Sequence, residues 1–509
     1  MGSIPSASVK DSAFAQRGVG MAINAICDEI RELYLGDGVP WVIGYSGGKD
    51  SSAVLQLVWL AVRELPPADR RKSIHVISTD TLVEQPVVAA WVDLSHARMR
   101  KASAEQEMPI LAHKLVPETK DTYWVNLIGR GYPAPRKLFR WCTSRMKINP
   151  SNNFIRKVVR ENGEAILALG TRKAESQKRA LNMQRYEVHR VRQRLTPNAN
   201  LPNSLIYTPI EDWTNDDVWL FLMQFRNPWG HSNRELLGMY RGASEDGECP
   251  LVVDTSTPSC GGSRFGCWVC TLVDKDRSME AMIKNDDEKH WMIPLLELRN
   301  DLGDFSKDRS RRDYRRMSGR VQLFHDDLVR GPYTKTTREY WLEKVLRAQM
   351  TVREIGPEAF RSLNVVSLAE LQEIRRIWLY EKHEFDDSLP RIYRAVTGEE
   401  FPHTQSDDSV LSAEDWELLR EICGEDEEFF LLQTRLLDTE RQFRGMLRRS
   451  GIYEALEEEL RVGQYGSEER ALVIRQNEER RRLEATHDPR QSRPSQQLLF
   501  GEPAISDKQ

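Results

Sequence analysis

A short apolar run, Trp41-Val-Ile-Gly44, leads into Tyr45-Ser-Gly-Gly-Lys-Asp-Ser51 and then into Ala53-Val-Leu-Gln-Leu-Val58. This succession reads as a strand, a tight glycine turn and a helix, the unit from which parallel α/β sheets are built. Two adjacent glycines let the backbone come close to an anion. The following helix presents unpaired N–H groups and the positive end of its dipole, and Lys49 adds a point charge. The segment is therefore a candidate phosphate loop for a nucleotide. It departs from the Walker A pattern, which needs glycine where Ile43 stands and Ser or Thr where Asp50 stands.

Downstream, β-type and α-type patterns alternate. Ser73-Ile-His-Val-Ile-Ser-Thr79 is a β-branched run that ends at Asp80, residues 85–107 have helical character, 112–115 read as a short strand, and Ala165-Ile-Leu-Ala-Leu-Gly170 is a buried-strand pattern. The alternation predicts an α/β fold with a doubly wound parallel sheet, with ligand residues at the carboxyl ends of the strands. Thr214-Asn-Asp-Asp217, Ser367-Leu-Ala-Glu370 and Ser412-Ala-Glu-Asp415 are helix-start signatures. The expected organisation is an N-terminal helical segment over 1–36, a nucleotide-binding domain over 37–240, a cysteine-rich loop over 241–285, a basic then helical accessory region over 286–465, and a charged, disordered tail over 466–509.

The 509 residues carry no apolar run near the roughly 20 needed to span a bilayer, and the first ten residues lack an apolar signal core, so a cytoplasmic location is expected. The net charge of −4 conceals a strong asymmetry. Residues 130–200 hold 17 Lys and Arg against four acids, a balance of +13, and residues 307–320 hold seven basic and two acidic residues. A charge run is most often a solvated face, but two basic blocks around a nucleotide site favour nucleic acid as a partner.

Seven cysteines are distributed unevenly. Cys27 and Cys423 lie on amphipathic helical patterns and read as structural. Cys249, Cys260, Cys267 and Cys270 crowd one Gly-rich loop with the spacing C-x10-C-x6-C-x2-C. In an intracellular chain such a group indicates a thiolate metal site, and the spacing leaves zinc and an iron–sulfur cluster about equally favoured. Cys142 stands by itself in Arg140-Trp-Cys-Thr-Ser-Arg-Met-Lys147, and its cationic neighbours predict a lowered thiol pKa and a nucleophilic or sulfur-carrying role.

Arg140 to Lys147, then Gly170-Thr-Arg-Lys-Ala-Glu-Ser-Gln-Lys-Arg179, then Pro209-Ile-Glu-Asp-Trp213 through Trp219, all following the Ser46–Ser51 loop, resemble in sequence and order the phosphoadenylyl sulfate reductase branch of the PP-loop ATP pyrophosphatase superfamily. The resemblance covers roughly residues 35–280. It implies cleavage of ATP to AMP and pyrophosphate, with Ser46, Gly47, Gly48, Lys49, Asp50, Ser51, Asp80, Gly170, Arg172, Glu175, Ser176 and Arg179 around the nucleotide. Asp80 and Glu84 fall in the segment that matches the family's Asp-Thr-Gly motif near the ribose, with Leu82 in place of the glycine. The C-terminal Glu-Cys-Gly-(Leu/Ile)-His motif of true reductases does not occur in the chain.

Length, Cys142, the four-cysteine loop and the helical extension together resemble the sulfurtransferases of bacterial DNA phosphorothioation. That likeness implies exchange of a non-bridging oxygen of the DNA backbone for sulfur, with ATP and Mg²⁺. It further implies a [4Fe–4S] cluster on Cys249, Cys260, Cys267 and Cys270, in preference to zinc. Lys49, Asp50 and Cys142 would be the catalytic residues. The partners implied are DNA, a cysteine desulfurase, an ATPase and a small DNA-binding subunit, with no membrane. Thiolation of tRNA, reduction of adenylyl sulfate, and a DNA-binding subunit or redox sensor with a vestigial ATP site are the competing expectations.

Overall fold

The computed structural model describes residues 12–187, 190–191, 194–243, 265–325, 327–384, 386–402, 413–424, 426–444, 449–463, 465 and 467–486. The described residues fall into two compact units, one within 1–307, 335–381 and 387–406, the other within 308–334, 382–386 and 407–509.

In the first unit, α1 (Gly18–Leu35) precedes β1 (Trp41–Gly44), α2 (Lys49–Arg63), β2 (Ile74–Thr79), α3 (Pro86–Glu105) and β3 (Ile110–Leu115). Then follow α4 (Asn149–Asn162), β4 (Ala165–Ala168), α5 (Gln177–Glu187), β5 (Thr196–Pro197), β6 (Ser204–Tyr207), α6 (Asn215–Gln224) and α7 (Asn233–Gly242). The six strands form one sheet in the order β3-β2-β1-β4-β6-β5, parallel except for β5, which runs antiparallel to β6. The expected strands are all present, with ends moved by a few residues. β5 and β6 went unread in the sequence, because β6 is four residues long and bounded by Asn203 and Thr208 rather than by a strong turn pair.

Strand alternation assigns the two faces. Trp41, Ile43, Ile166 and Ala168 face one side, where residues of α1, α2, α6 and α7 complete the core; Val42 and Leu167 face the other, against Ile155 and Val158 of α4. Buried on every side from Ser51 to Trp59, α2 is the central helix of the unit. Burial of this kind contributes roughly 1.5–3 kcal/mol for each large apolar side chain. The strand order reverses between β1 and β4, and a parallel sheet opens its ligand crevice at that point.

The helix Lys335–Ile355 and the capped helix Leu368–Arg376 belong to this same unit. Ser367 and Glu370 form the expected reciprocal cap. Trp124 donates to the Val365 carbonyl at 2.7 Å and Trp378 donates to that of Ile128 at 3.0 Å, which fastens these helices to the sheet domain. The expected accessory region over 286–465 is thus divided: much of it completes the first unit, because its tryptophans are buried there. In the second unit, Arg330 forms a bidentate pair with Glu468 at 2.8 and 2.6 Å. Glu468–Thr486 is a helix, against the expectation of disorder from 466, since Ala471 and Tyr465 pack with Tyr314 and Val321. Ser412 and residues 487–509 lie outside the described residues.

Two histidines of the first unit are buried in neutral form. His96 is 2% exposed and bonded to Ser78 Oγ at 2.7 Å, and burial, reinforced by Arg100, lowers its pKa to about 4. His231, also 2% exposed, stacks on Trp91 at 3.5 Å, and burial with Arg98 lowers its pKa to about 4. The unfolded chain binds protons at these sites from about pH 6.5 downward, whereas the folded chain does not until about pH 4. The stabilisation they reflect is therefore complete above pH 6.5 and is lost as pH falls through that window, by a few kcal/mol for each histidine at most. Urea unfolding between pH 7 and 4 should show a steep loss of stability, and His96→Asn should flatten that slope.

Candidate active site

The phosphate loop sits at the carboxyl end of β1, and its geometry requires glycine twice. Gly47 has φ +74°, and a Cβ there would meet Val92 at 2.6 Å. Gly170, which follows β4, lies so close to the first turn of α2 that a Cβ would stand 2.8 Å from the Asp50 carbonyl carbon and oxygen. These contacts bring the two loops of the topological switch point together.

Asp50 then holds two cations. Its carboxylate accepts from Lys49 Nζ at 2.9 Å and from Arg172 Nε at 2.7 Å, while Arg172, 4% exposed, also donates to the Trp213 carbonyl at 3.2 Å. The backbone N–H of Arg172 donates to Glu175, whose second oxygen receives Arg179. Ser51 Oγ donates to the Gly48 carbonyl and lies 3.2 Å from Ser46 Oγ, fixing the loop. A cavity of about 1200 Å³ opens over this assembly. Ser46, Gly48, Lys49, Asp50, Ser51, Asp80, Arg172, Glu175 and Arg179 line it; Gly47, Gly170 and Ser176 shape it from behind, Ser176 by accepting from the Arg179 N–H. Its apolar wall comes from Ile77, Ile155, Leu167 and Leu169.

Tyr240 and Phe265 were missed in the sequence. The Tyr240 hydroxyl accepts from the Lys49 N–H at 3.3 Å, and Lys49 Nζ lies 5.7 Å from its ring centre. Tyr240 arrives on α7, and no local pattern signals that a tyrosine so distant in sequence reaches the phosphate loop. Leu82, in place of the expected glycine, takes the left-handed conformation at φ +64°, and its N–H donates to Asp80 at 2.8 Å. The turn is kept at a conformational cost of roughly 1–2 kcal/mol.

The thiols share a wall with this cavity. Glu84 and Lys147 line it and also surround Cys267. Residues 84 and 267 form an isolated β-bridge, Thr81 Oγ1 is 3.3 Å from Cys267 Sγ, and Lys147 pairs with Glu84 at 3.5 Å. Burial, with Glu84 adding to it, pushes the Cys267 thiol up to about 12. Burial works against the charge on Lys147, but Cys267 and Glu84 outweigh it and raise its pKa. The turn Cys267–Cys270 is clamped from α9 (Ile293–Gly303, after α8, Arg277–Asn285) by Arg299, 1% exposed, which donates to the carbonyls of Cys270 at 3.0 Å and Asp274 at 2.8 Å.

Cys142 precedes a π-helical turn, Thr143–Ile148, which carries Lys147 towards Cys267. The expected lowering of its pKa is reversed. Burial raises it, and Lys147 opposes this only in part. Arg145 is turned instead to Asp121, Asn126 and Tyr132, and Arg140 donates to the Lys137 carbonyl. Nor is Cys142 isolated, since Cys270 lies within electrostatic reach of it. Cys249 and Cys260 lie outside the described residues. Among the described residues no three Cys, His, Asp or Glu side chains are arranged to hold a metal ion. Even so, two half-buried thiols on a clamped Cys-x-x-Cys turn are the donor chemistry that an iron–sulfur cluster takes. No helix among the described residues is long and apolar enough to cross a membrane.

Residues 40–229 match the family model of the phosphoadenosine phosphosulfate reductase domain. This segment is a PAPS reductase-like domain, and it covers well under half of the chain. An uncharacterized protein of Methanocaldococcus jannaschii is 25% identical over 252 residues, 50% of this chain and 40% of the relative, so the chain spans well under half of that protein. Among solved structures, phosphoadenylyl-sulfate reductase from Candida auris, in a phosphate complex, is 13% identical with a TM-score of 0.26, over 46% of this chain and 93% of that one. The U34-tRNA thiolase NcsA from Methanococcus maripaludis, with its [4Fe-4S] cluster, is 13% identical with a TM-score of 0.27, over 57% of this chain and 80% of that one.

The basic block over 130–200 is less open than its count of charges implies. Arg145, Arg172, Lys173, Arg190 and Arg194 are spent on Asp121, Asp50, Glu211 and the Glu29–Glu32 pair. Lys137, Arg140, Arg156, Lys157 and Arg160 remain exposed.

Arg172 uses its Nε and Nη1 simultaneously, a fork that lysine cannot reproduce. Arg172→Lys and Arg172→Ala should both raise the Kd for ATP at least tenfold by isothermal calorimetry, with lysine giving little rescue.

Proposed function

We propose that this protein is a sulfurtransferase of the DndC type, which uses ATP to replace a non-bridging oxygen of a DNA phosphate with sulfur. The observation that carries the reading is the shared wall: Glu84 and Lys147 line the phosphate cavity and also surround the Cys267 thiol. The PAPS reductase-like domain supports nucleotide and sulfur chemistry at coarse level. DNA rests on the exposed cations of the basic block and on the resemblance drawn from the sequence.

In this scheme ATP lies with its base against Ile77, Leu167 and Leu169 and its phosphates over the loop. The amides of the phosphate loop, Lys49 and Arg172 neutralise the departing pyrophosphate, and Asp50 and Asp80 are the carboxylates available to Mg²⁺. A non-bridging DNA oxygen attacks the α-phosphorus, the bond to the bridging oxygen breaks, and pyrophosphate leaves. Cys142 carries sulfur as a persulfide supplied by a cysteine desulfurase. Its terminal sulfur attacks the DNA phosphorus, and AMP departs with the original oxygen. A dithiol reductant then cleaves the S–S bond, which leaves sulfur on the DNA, restores the Cys142 thiol and yields the oxidised dithiol. Cys267 and Cys270, with Cys249 and Cys260, would hold the [4Fe–4S] cluster, which when bound supplies redox or sulfur chemistry beside this site. An ATPase and a small DNA-binding subunit are the further partners proposed.

Two measurements test the reading. Lys49→Ala should abolish pyrophosphate release while leaving visible cluster absorbance unchanged; joint loss of both would indicate misfolding. Mass spectrometry of nuclease-digested DNA and tRNA from cells with and without the gene, its neighbours present, should show sulfur-bearing DNA dinucleotides that vanish on deletion. Loss of a thiolated tRNA nucleoside with unchanged DNA would transfer the enzyme to RNA.

A further inference from the structure

Just before Cys142 the chain makes a closed turn over Arg136-Lys-Leu-Phe139. The Arg136 N–H donates to the Phe139 carbonyl at 3.1 Å and the Phe139 N–H returns to that of Arg136 at 2.9 Å. Leu138 stands at its tip, fully exposed, with Phe139 beside it 42% exposed. A single exposed leucine carries no information, since folded surfaces hold many. The setting of this one does. Exposed Lys137 and Arg140 flank it, and neither has an ion-pair partner among the described residues. The turn is also braced from behind. Arg136 lies over the Phe305 ring at 4.3 Å, Trp141 donates to the Pro133 carbonyl at 3.0 Å, and Thr271 donates to the Pro135 carbonyl at 2.7 Å.

That last bond couples the tip to the thiols, because Thr271 directly follows Cys270. The same rigid piece thus carries an apolar tip between two cations and, four residues on, Cys142. The span from Leu138 to Cys142 is at most about 14 Å, roughly four nucleotide steps of one DNA strand.

We propose that Leu138 is a DNA wedge: it enters a base step of duplex DNA from the minor groove, with Lys137 and Arg140 on the flanking phosphates. Apolar side chains so placed partly unstack the duplex and kink it. The kink opens the backbone next to the wedge and presents a phosphate to the site that holds Cys142. This inference rests on the reading of DNA as substrate.

The test exploits the cost of unstacking, which a mismatch has already met. Fluorescence anisotropy with the full chain, on mixed-sequence duplexes either perfect or carrying one central mismatch, should show at least about fivefold tighter binding of the mismatched duplex. Leu138→Ser should bind both alike, at the level of the perfect duplex, and Leu138→Phe should keep the preference. Thermal midpoints should match wild type, because the side chain is fully exposed. Lys137→Ala with Arg140→Ala should lower the log–log salt slope by about 1.8. A preference that survives in Leu138→Ser, or that is absent from a wild-type chain that binds duplex with a steep salt slope, overturns the wedge and leaves the proposed function standing. Failure of the wild-type chain to bind any DNA at low salt overturns both.

Discussion

The site depends on one close approach, that of Gly170 to the backbone of Asp50. The first residues after β4 come into van der Waals contact with the first turn of α2, which no residue with a Cβ allows. That contact places Arg172 on Asp50, and Asp50 in turn holds Lys49, so the two cations facing the cavity have fixed positions before a nucleotide arrives. In the proposed reaction, preorganised charge of this kind would stabilise a departing pyrophosphate without reorganisation. A lone lysine on a mobile loop could not supply the same effect.

The second constraint is the half-buried setting of the thiols. Burial raises the pKa of both Cys142 and Cys267, contrary to the reading in which neighbouring arginines activate Cys142. Arg145 and Arg140 point elsewhere, and Lys147 is the cation that reaches the thiol pocket. Thiols held neutral in the absence of a partner are protected from adventitious oxidation. A thiophilic partner or an incoming sulfur would then set their ionisation. Lys147 joins the two halves of the site, since it lines the phosphate cavity and also pairs with Glu84 beside Cys267.

Much of the domain was legible because its signals are local. The loop from Ser46 to Ser51, the strand patterns at 73–79 and 165–170, and the caps at Thr214 and Ser367 each record a rule that operates within a few residues. The parts that were not legible depend on distant segments. Tyr240 under Lys49, Arg299 clamping the Cys270 carbonyl and Thr271 bracing Pro135 join residues 29 to 191 positions apart. The fate of residues 335–406 was equally hidden, because a helical, charged stretch gives no sign of which core will bury its tryptophans.

The sequence by itself determined the α/β class, the phosphate loop and the supply of thiols and cations, since strand periodicity, glycine turns and residue chemistry are written residue by residue. Only the tertiary structure decided which of them meet. It turned Arg145 and Arg172 inward to carboxylates, brought Cys142 within electrostatic reach of Cys270, and left Leu138 exposed between Lys137 and Arg140. Burial and pairing are properties of three-dimensional neighbours, and a charge counted along the chain acts on a partner only if folding leaves it unspent.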